Sequence, residues 1–243
     1  MISPVTPNYG HRLRIGLLIP SVNTVVEPQM HAMMPGGVSC HVTRLALAGS
    51  SEQALRDMAA DVESGARLVS DAGVDLIAFH CTAVSMLSVE FMESIAARIH
   101  AATGLLAITT GHAVREALRV LASRSIVLVT PYGEATHARE LAFLRDCGID
   151  VVGDACMKVG AAAEYALKTP DELYQFAVAQ ENEAAEAYFF GCTAVRSSEV
   201  IAALEDRLAR PVITSNQVMA WHALRSGGIT DPVHGYGRLL ERH

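Results

Sequence analysis

Nowhere in the 243 residues does an apolar run go much beyond about ten, half of the roughly 20 that a helix needs to span a bilayer. The opening stretch Met1-Ile2-Ser3-Pro4-Val5-Thr6-Pro7 also lacks the charged segment followed by an apolar one that marks a secretory leader. Together the two absences predict a cytoplasmic chain with no membrane partner. Basic clusters are missing as well. The net charge is −7 and spread along the chain, and only one Trp, six Tyr and six Phe are available to stack on bases. Nucleic acid is therefore not an expected partner. An anionic ligand would have to be held by local donors such as backbone N–H groups and hydroxyls. CxxC and HxxxH are absent, as are GxGxxG and GxxxxGK followed by Ser or Thr. A metal site is not expected on those grounds, and the usual sequence grounds for a dinucleotide or nucleoside triphosphate are removed. Five cysteines, an odd number in a chain read as cytoplasmic, predict reduced thiols.

What is present is repetition. The tetrapeptide Cys81-Thr82-Ala83-Val84 returns as Cys192-Thr193-Ala194-Val195, 111 positions later. Each copy follows a strand-like apolar run, 74–79 and 187–190, and precedes helix-compatible sequence. The same offset carries Ile15-Gly16-Leu17-Leu18-Ile19-Pro20 onto Ile126-Val127-Leu128-Val129-Thr130-Pro131. A third pair, 106–114 and 211–219, is offset by 105, as a shortened loop would give. Several motifs at nearly one spacing predict a duplicated unit.

Half of the chain is apolar, 51% by composition, enough for a large core. Strands are expected at 15–19, 41–47, 74–79, 105–108, 125–130, 150–153, 187–190 and 211–214. Between them, helical spacing marks 52–72, 89–103, 112–122, 135–147, 170–185, 198–209 and 217–225. Such alternation predicts an α/β fold of two pseudo-symmetric Rossmann-like lobes with parallel sheets and a cleft between them. The first lobe is discontinuous, 1–111 plus 215–243, and the second is 112–214.

Two cysteines at equivalent strand ends would face each other across one ligand. A helix N-terminus behind each would lower its pKa. A thiolate and a thiol on opposite faces of a small acid can exchange protons, or add sulfur to a double bond and expel it. Asn23, Thr24, Thr82, Tyr132 and Thr193 are polar side chains at the same strand ends, and Tyr132 occupies the place of Ser21 at the 111 offset. His80, His112 and His222 read as hydrogen-bonded packing residues. Cys40, Cys147 and Cys156 have no repeat partner and are expected to be buried. Glu181, Glu183 and Glu186 lie on a solvated helical face.

Pro20-Ser21-Val22-Asn23-Thr24, Cys81-Thr82-Ala83, Thr130-Pro131-Tyr132, Gly191-Cys192-Thr193-Ala194, the segment 211–217 and the tail 235–239 together resemble the aspartate/glutamate racemase superfamily. Within it they are most similar to the branch of maleate cis-trans isomerase and arylmalonate decarboxylase. The resemblance implies a cofactor-free and metal-free enzyme that works as a dimer or tetramer of identical chains on a small dicarboxylate or amino-acid-like substrate. It implies catalytic roles for Cys81, as nucleophile, and Cys192, as proton donor and acceptor. Ligand contacts fall to Asn23, Tyr132, Ser21, Thr82, Ala83, Thr193 and Ala194. Decarboxylases of the branch carry glycine at the first cysteine position, so two thiols favour maleate isomerisation. Racemisation, arylmalonate-type decarboxylation, an activity related to ectoine breakdown and non-catalytic binding of a small acid are the alternatives. One departure is visible: 154–160 contains no asparagine, where maleate isomerases carry one.

Overall fold

Parallel strands covered on both faces need apolar side chains in both directions, and the computed structural model, which describes residues 8–160 and 162–243, uses the apolar runs in that way. The N-terminal stretch 1–7 lies outside the described residues. β1 (Leu13–Pro20), β2 (Val38–Leu45), β3 (Leu76–Phe79) and β4 (Leu106–Thr109) form one sheet in the order β2-β1-β3-β4. β5 (Ser125–Thr130), β6 (Asp150–Cys156), β7 (Ala187–Phe190) and β8 (Val212–Thr214) form the other in the order β6-β5-β7-β8. All pairings are parallel. The second sheet thus repeats the winding of the first.

Alternate residues of each strand enter different cores. Leu17, Ala78, Leu128 and Phe189 point into a central core shared by both sheets. Leu18, Ile77 and Phe79 face an outer core of the first lobe, and Val127, Val129, Tyr188 and Phe190 one of the second. Helices Thr110–Val120 and Ser215–Ser226 pack on each other in the middle. In each sheet the winding reverses between its first and third strands, and ligands of open α/β sheets bind at the carboxyl ends of such strands. Asn23 follows β1 and Cys81 follows β3; Tyr132 follows β5 and Cys192 follows β7.

Several boundaries differ from the expectation. The helix expected over 52–72 is two, Glu52–Ala60 and Val62–Ser70, parted at Asp61, whose φ of −91° and ψ of 9° leave the helical region. The break lets the second helix settle on the sheet, where Gly65 lies against Leu45 with no room for a side chain. The helix expected to reach 185 ends at Val178. Beyond it Asn182 ties the turn to β6 and β7, its side-chain amide donating to the Val152 carbonyl and its backbone N–H donating to the Tyr188 hydroxyl. Strand β6 runs on to Cys156, into residues read as loop. Cys40, Cys147 and Cys156 are half-buried, not sealed in the core. The closing segment bonds to both halves: Asp231 pairs with Arg12, and the Arg238 N–H donates to Glu205.

Candidate active site

The Cys-Thr-Ala-Val repeat ends two equivalent strands, and the fold turns those ends toward each other. Cys81 and Cys192 line the same cavity of about 60 Å³, with Asn23, Thr82, Ala83, Tyr132, Thr193 and Ala194. Ser21 is not among them. It is exposed on the same loop, its hydroxyl accepting the Leu47 N–H at 3.2 Å. Tyr132 at the matching position of the second lobe is buried, so the symmetry of the backbone does not extend to these side chains.

Asn23 joins the lobes. Its Oδ1 accepts the N–H groups of Val25 and Val26 at 2.9 and 3.0 Å, and its Nδ2 donates to Thr193 Oγ1 at 2.9 Å. Thr82 reaches across in the other direction, donating to Ser215 Oγ at 2.8 Å. That oxygen also accepts the Cys192 N–H at 3.1 Å. Both Thr residues of the repeat are therefore spent on bonds between loops that follow strands of different sheets.

His80 is fully buried between Thr110 Oγ1, 3.0 Å from Nδ1, and Asn216 Oδ1, 2.8 Å from Nε2. Asn216 uses its amide N–H groups on Gln29 Oε1 and the Thr193 carbonyl, at 2.6 and 3.1 Å. Its Oδ1 must then accept, which puts the ring proton of His80 on Nε2. Burial lowers the His80 pKa to about 4, against the opposing effect of the Asn216 bond. His80 is a packing residue, as its sequence setting implies. His112 and His222 line a separate surface cavity beside Glu93.

The strand-then-helix expectation holds only weakly at the cysteines. Cys81 caps one short turn, Thr82–Ser85, and after Cys192 regular helix begins only at Ser197, as 3-10 turns. A single turn contributes little dipole. Burial dominates instead and pushes both thiols up to about 12. Backbone amides oppose it, Val84 and Ala83 at Cys81, and Ala194 at Cys192 with N···Sγ 3.3 Å. The Tyr132 hydroxyl also favours the Cys192 thiolate, while its own pKa is driven well upward, first by burial and then by Cys192. The low-pKa thiol expected from sequence is thus not a property of the unliganded site. Cys192 also has φ of +107°, a conformation that L side chains rarely adopt and that costs about 1–3 kcal/mol.

Some positions at the cavity escaped the sequence analysis. Val22, Leu47, Leu55, Thr136 and Tyr165 complete the cavity wall, with Tyr165 edge-on to Tyr132 at 5.8 Å between ring centres. Tyr165 sits in a 3-10 segment that no periodicity announces. Glu140 is buried and looks in the sequence like one more helical charge. The signal was present: 136, 140, 143 and 144 share one helical face, and the others on it are buried too.

No side chain of the cavity wall is formally charged. Among the described residues no group of three or more His, Cys, Asp or Glu is arranged to hold a metal. No helix among them is long and apolar enough to cross a membrane.

Known proteins share this fold. The chain is 25% identical over 241 residues to a maleate isomerase of Pseudomonas putida, an alignment covering 93% of this chain and 96% of the relative. It is likewise 25% identical over 233 residues to an arylmalonate decarboxylase of Bordetella bronchiseptica, with the same coverage. The fold matches a mutant of Nocardia farcinica maleate cis-trans isomerase with a covalently bound succinylcysteine intermediate, with a TM-score of 0.86 at 24% identity, covering 95% of this chain and 99% of that one. The model of the family described as arylmalonate decarboxylase matches residues 15–240, nearly the whole chain, and the protein belongs to that family.

Proposed function

We propose that the protein is a cofactor-independent isomerase that uses two cysteines on a small carboxylic acid, with conversion of maleate to fumarate as the leading reaction. The observation that carries this is the presence of both Cys81 and Cys192 on one small cavity. A reaction that adds a nucleophile to one carbon of a double bond and a proton to the next needs two such groups within reach of one ligand.

The Cys81 thiolate attacks one alkene carbon, forming a C–S bond as the π pair moves to the neighbouring carbon. Cys192 gives that carbon its proton and becomes the thiolate. Rotation about what is now a single bond brings the carboxylates trans. Cys192 then removes the proton, the double bond re-forms, and the C–S pair returns to Cys81. Atoms and charge balance without a co-reactant. The relationship to maleate isomerases and the succinylcysteine recorded in the Nocardia farcinica relative support this route. Asn23, Tyr132 and the amides of Ala83 and Ala194 are proposed to hold the carboxylates, in place of the basic side chains that the cavity wall lacks.

The test is incubation of the purified protein with maleate, following fumarate by proton NMR. Formation of fumarate that disappears in Cys81→Ser is the expected result; turnover retained in that variant removes the nucleophile assignment. One observation favours a second reading. With Val22, Leu47, Leu55 and Tyr165 in the wall, an acid with one carboxylate and an apolar arm also fits, and racemisation of such an acid would show as deuterium uptake at the α-carbon in heavy water.

A further inference from the structure

The 111 offset that pairs the cysteines also pairs Gln29 with Glu140 and His80 with Gly191. In the first lobe these positions hold a closed network, His80 to Asn216 to Gln29. In the second lobe the position before the cysteine carries no side chain. The Glu140 carboxyl fills that space, so close to Gly191 that a β-carbon there would overlap it. Glu140 is 1% exposed, and neither carboxyl oxygen has a hydrogen-bond partner among the described residues.

The groups facing Glu140 are acids. Cys81 approaches from the loop after β3, Cys192 from the loop after β7 and Tyr132 from the loop after β5, each affected by the Glu140 charge. No basic side chain compensates. On the same helix, Arg139 turns its guanidinium to Thr136 Oγ1 and the Ser50 carbonyl. His137 is held between Thr130 of β5 and Asp154 of β6. Four buried acids therefore lie close together, and a negative charge on one opposes a negative charge on any other.

We propose that Glu140 is a positioning residue that sets the charge state of the cysteine pair: as a neutral acid behind Gly191 it permits a thiolate beside it, and as a carboxylate it opposes one. The proposal rests on Cys81 and Cys192 being the reactive pair. Burial raises Glu140 to about 8, well below the thiols, so it is the first of the group to ionise as pH rises. The carboxylate then claims the one negative charge that the pocket tolerates.

Alkylation by iodoacetamide without substrate, read by mass spectrometry at the Cys81 and Cys192 peptides, tests this whether or not maleate turns over. In the wild type the rate climbs with pH and bends to a shallower slope near pH 8. Glu140→Gln, which copies the Gln29 side chain of the other lobe, removes the bend. The variant matches the wild type at about pH 6 and labels about tenfold faster at about pH 9, the effect of one pKa unit. Superimposable profiles overturn the proposal, and so does slower labelling of the variant throughout, which would make the carboxylate a base. A second measurement needs no variant: in protein carrying carbon-13 at the glutamate carboxyls, one resonance titrates near pH 8. If every glutamate resonance has titrated by about pH 6, Glu140 is an ordinary carboxylate and the proposal fails.

Discussion

Cys81 and Cys192 end equivalent strands of equivalent sheets, yet the ground behind them is different. Behind Cys81 lies a neutral imidazole with both nitrogens bonded, backed by Asn216 and Gln29. Behind Cys192 lie a bare glycine and a carboxyl with no partner. One side is a completed polar network, rigid and chemically quiet. The other is a titratable group beside a strained backbone. A duplicated scaffold has kept its two sulfurs and made their surroundings unequal, which is what a reaction with distinct nucleophile and proton carrier requires.

The sharpest way to break the equivalence is to remove each sulfur in turn. Cys81→Ser is expected to abolish turnover, because the hydroxyl is a far weaker nucleophile in the same place. Cys192→Ser should lower kcat by about 10²–10⁴-fold, the range for loss of a general acid–base group. If it retains the first half of the reaction, a covalent adduct on Cys81 will be visible by intact-protein mass spectrometry.

Next in size is Ser215→Ala, which takes from Thr82 its acceptor and from the Cys192 N–H its partner. Stranding two buried donors should cost about 2–6 kcal/mol in urea denaturation, at about 1–3 kcal/mol for each group. Gly191→Ala, by forcing a β-carbon onto the Glu140 carboxyl, should lose about 1–3 kcal/mol as overpacking does. Combining it with Glu140→Ala should recover most of that loss. A double-mutant cycle with no coupling would place the strain elsewhere.

The last effects are in pH. His80 has its folded pKa lowered from 6.5 to about 4, so its contribution is complete above about 6.5 and is lost as pH falls toward 4. Glu140 has its folded pKa raised from 4.5 to about 8, so its contribution is complete below about 4.5 and is lost as pH rises toward 8. Thermal melts should therefore show one decline on the acid side, removed by a His80 substitution that keeps the fold. A second, as pH rises from about 4.5 to about 8, should be removed by Glu140→Gln.

The repeat made most of this architecture legible. One offset linked Ile15 to Ile126 and Cys81 to Cys192, and the same strand winding appears in both sheets. The eight strands were marked by apolar runs because parallel strands must be apolar on both faces, whereas helix ends shifted at Asp61, where the backbone leaves the helical region, and at Asn182, whose side chain ties the turn to β6. At the site, the Cys-Thr-Ala segments, Asn23 and Tyr132 stand on the cavity, and Ser21 does not because its hydroxyl is engaged by Leu47. Ser215 and Asn216 were inside a recognised motif without a visible role, since their partners are 133 and 136 residues away. Thiol ionisation was misjudged for a related reason. Local sequence suggests a helix end but says nothing of how deeply the tertiary fold will bury it.

The Ser215 hydroxyl has a further consequence. It accepts from Thr82 on one side and from the Cys192 N–H on the other, and its own hydrogen is donated to the Phe190 carbonyl at 3.5 Å. A single oxygen is thus the hub at which each half of the molecule senses where the other stands. Displacing either cysteine-bearing strand end would therefore disturb a bond that Ser215 makes to the other.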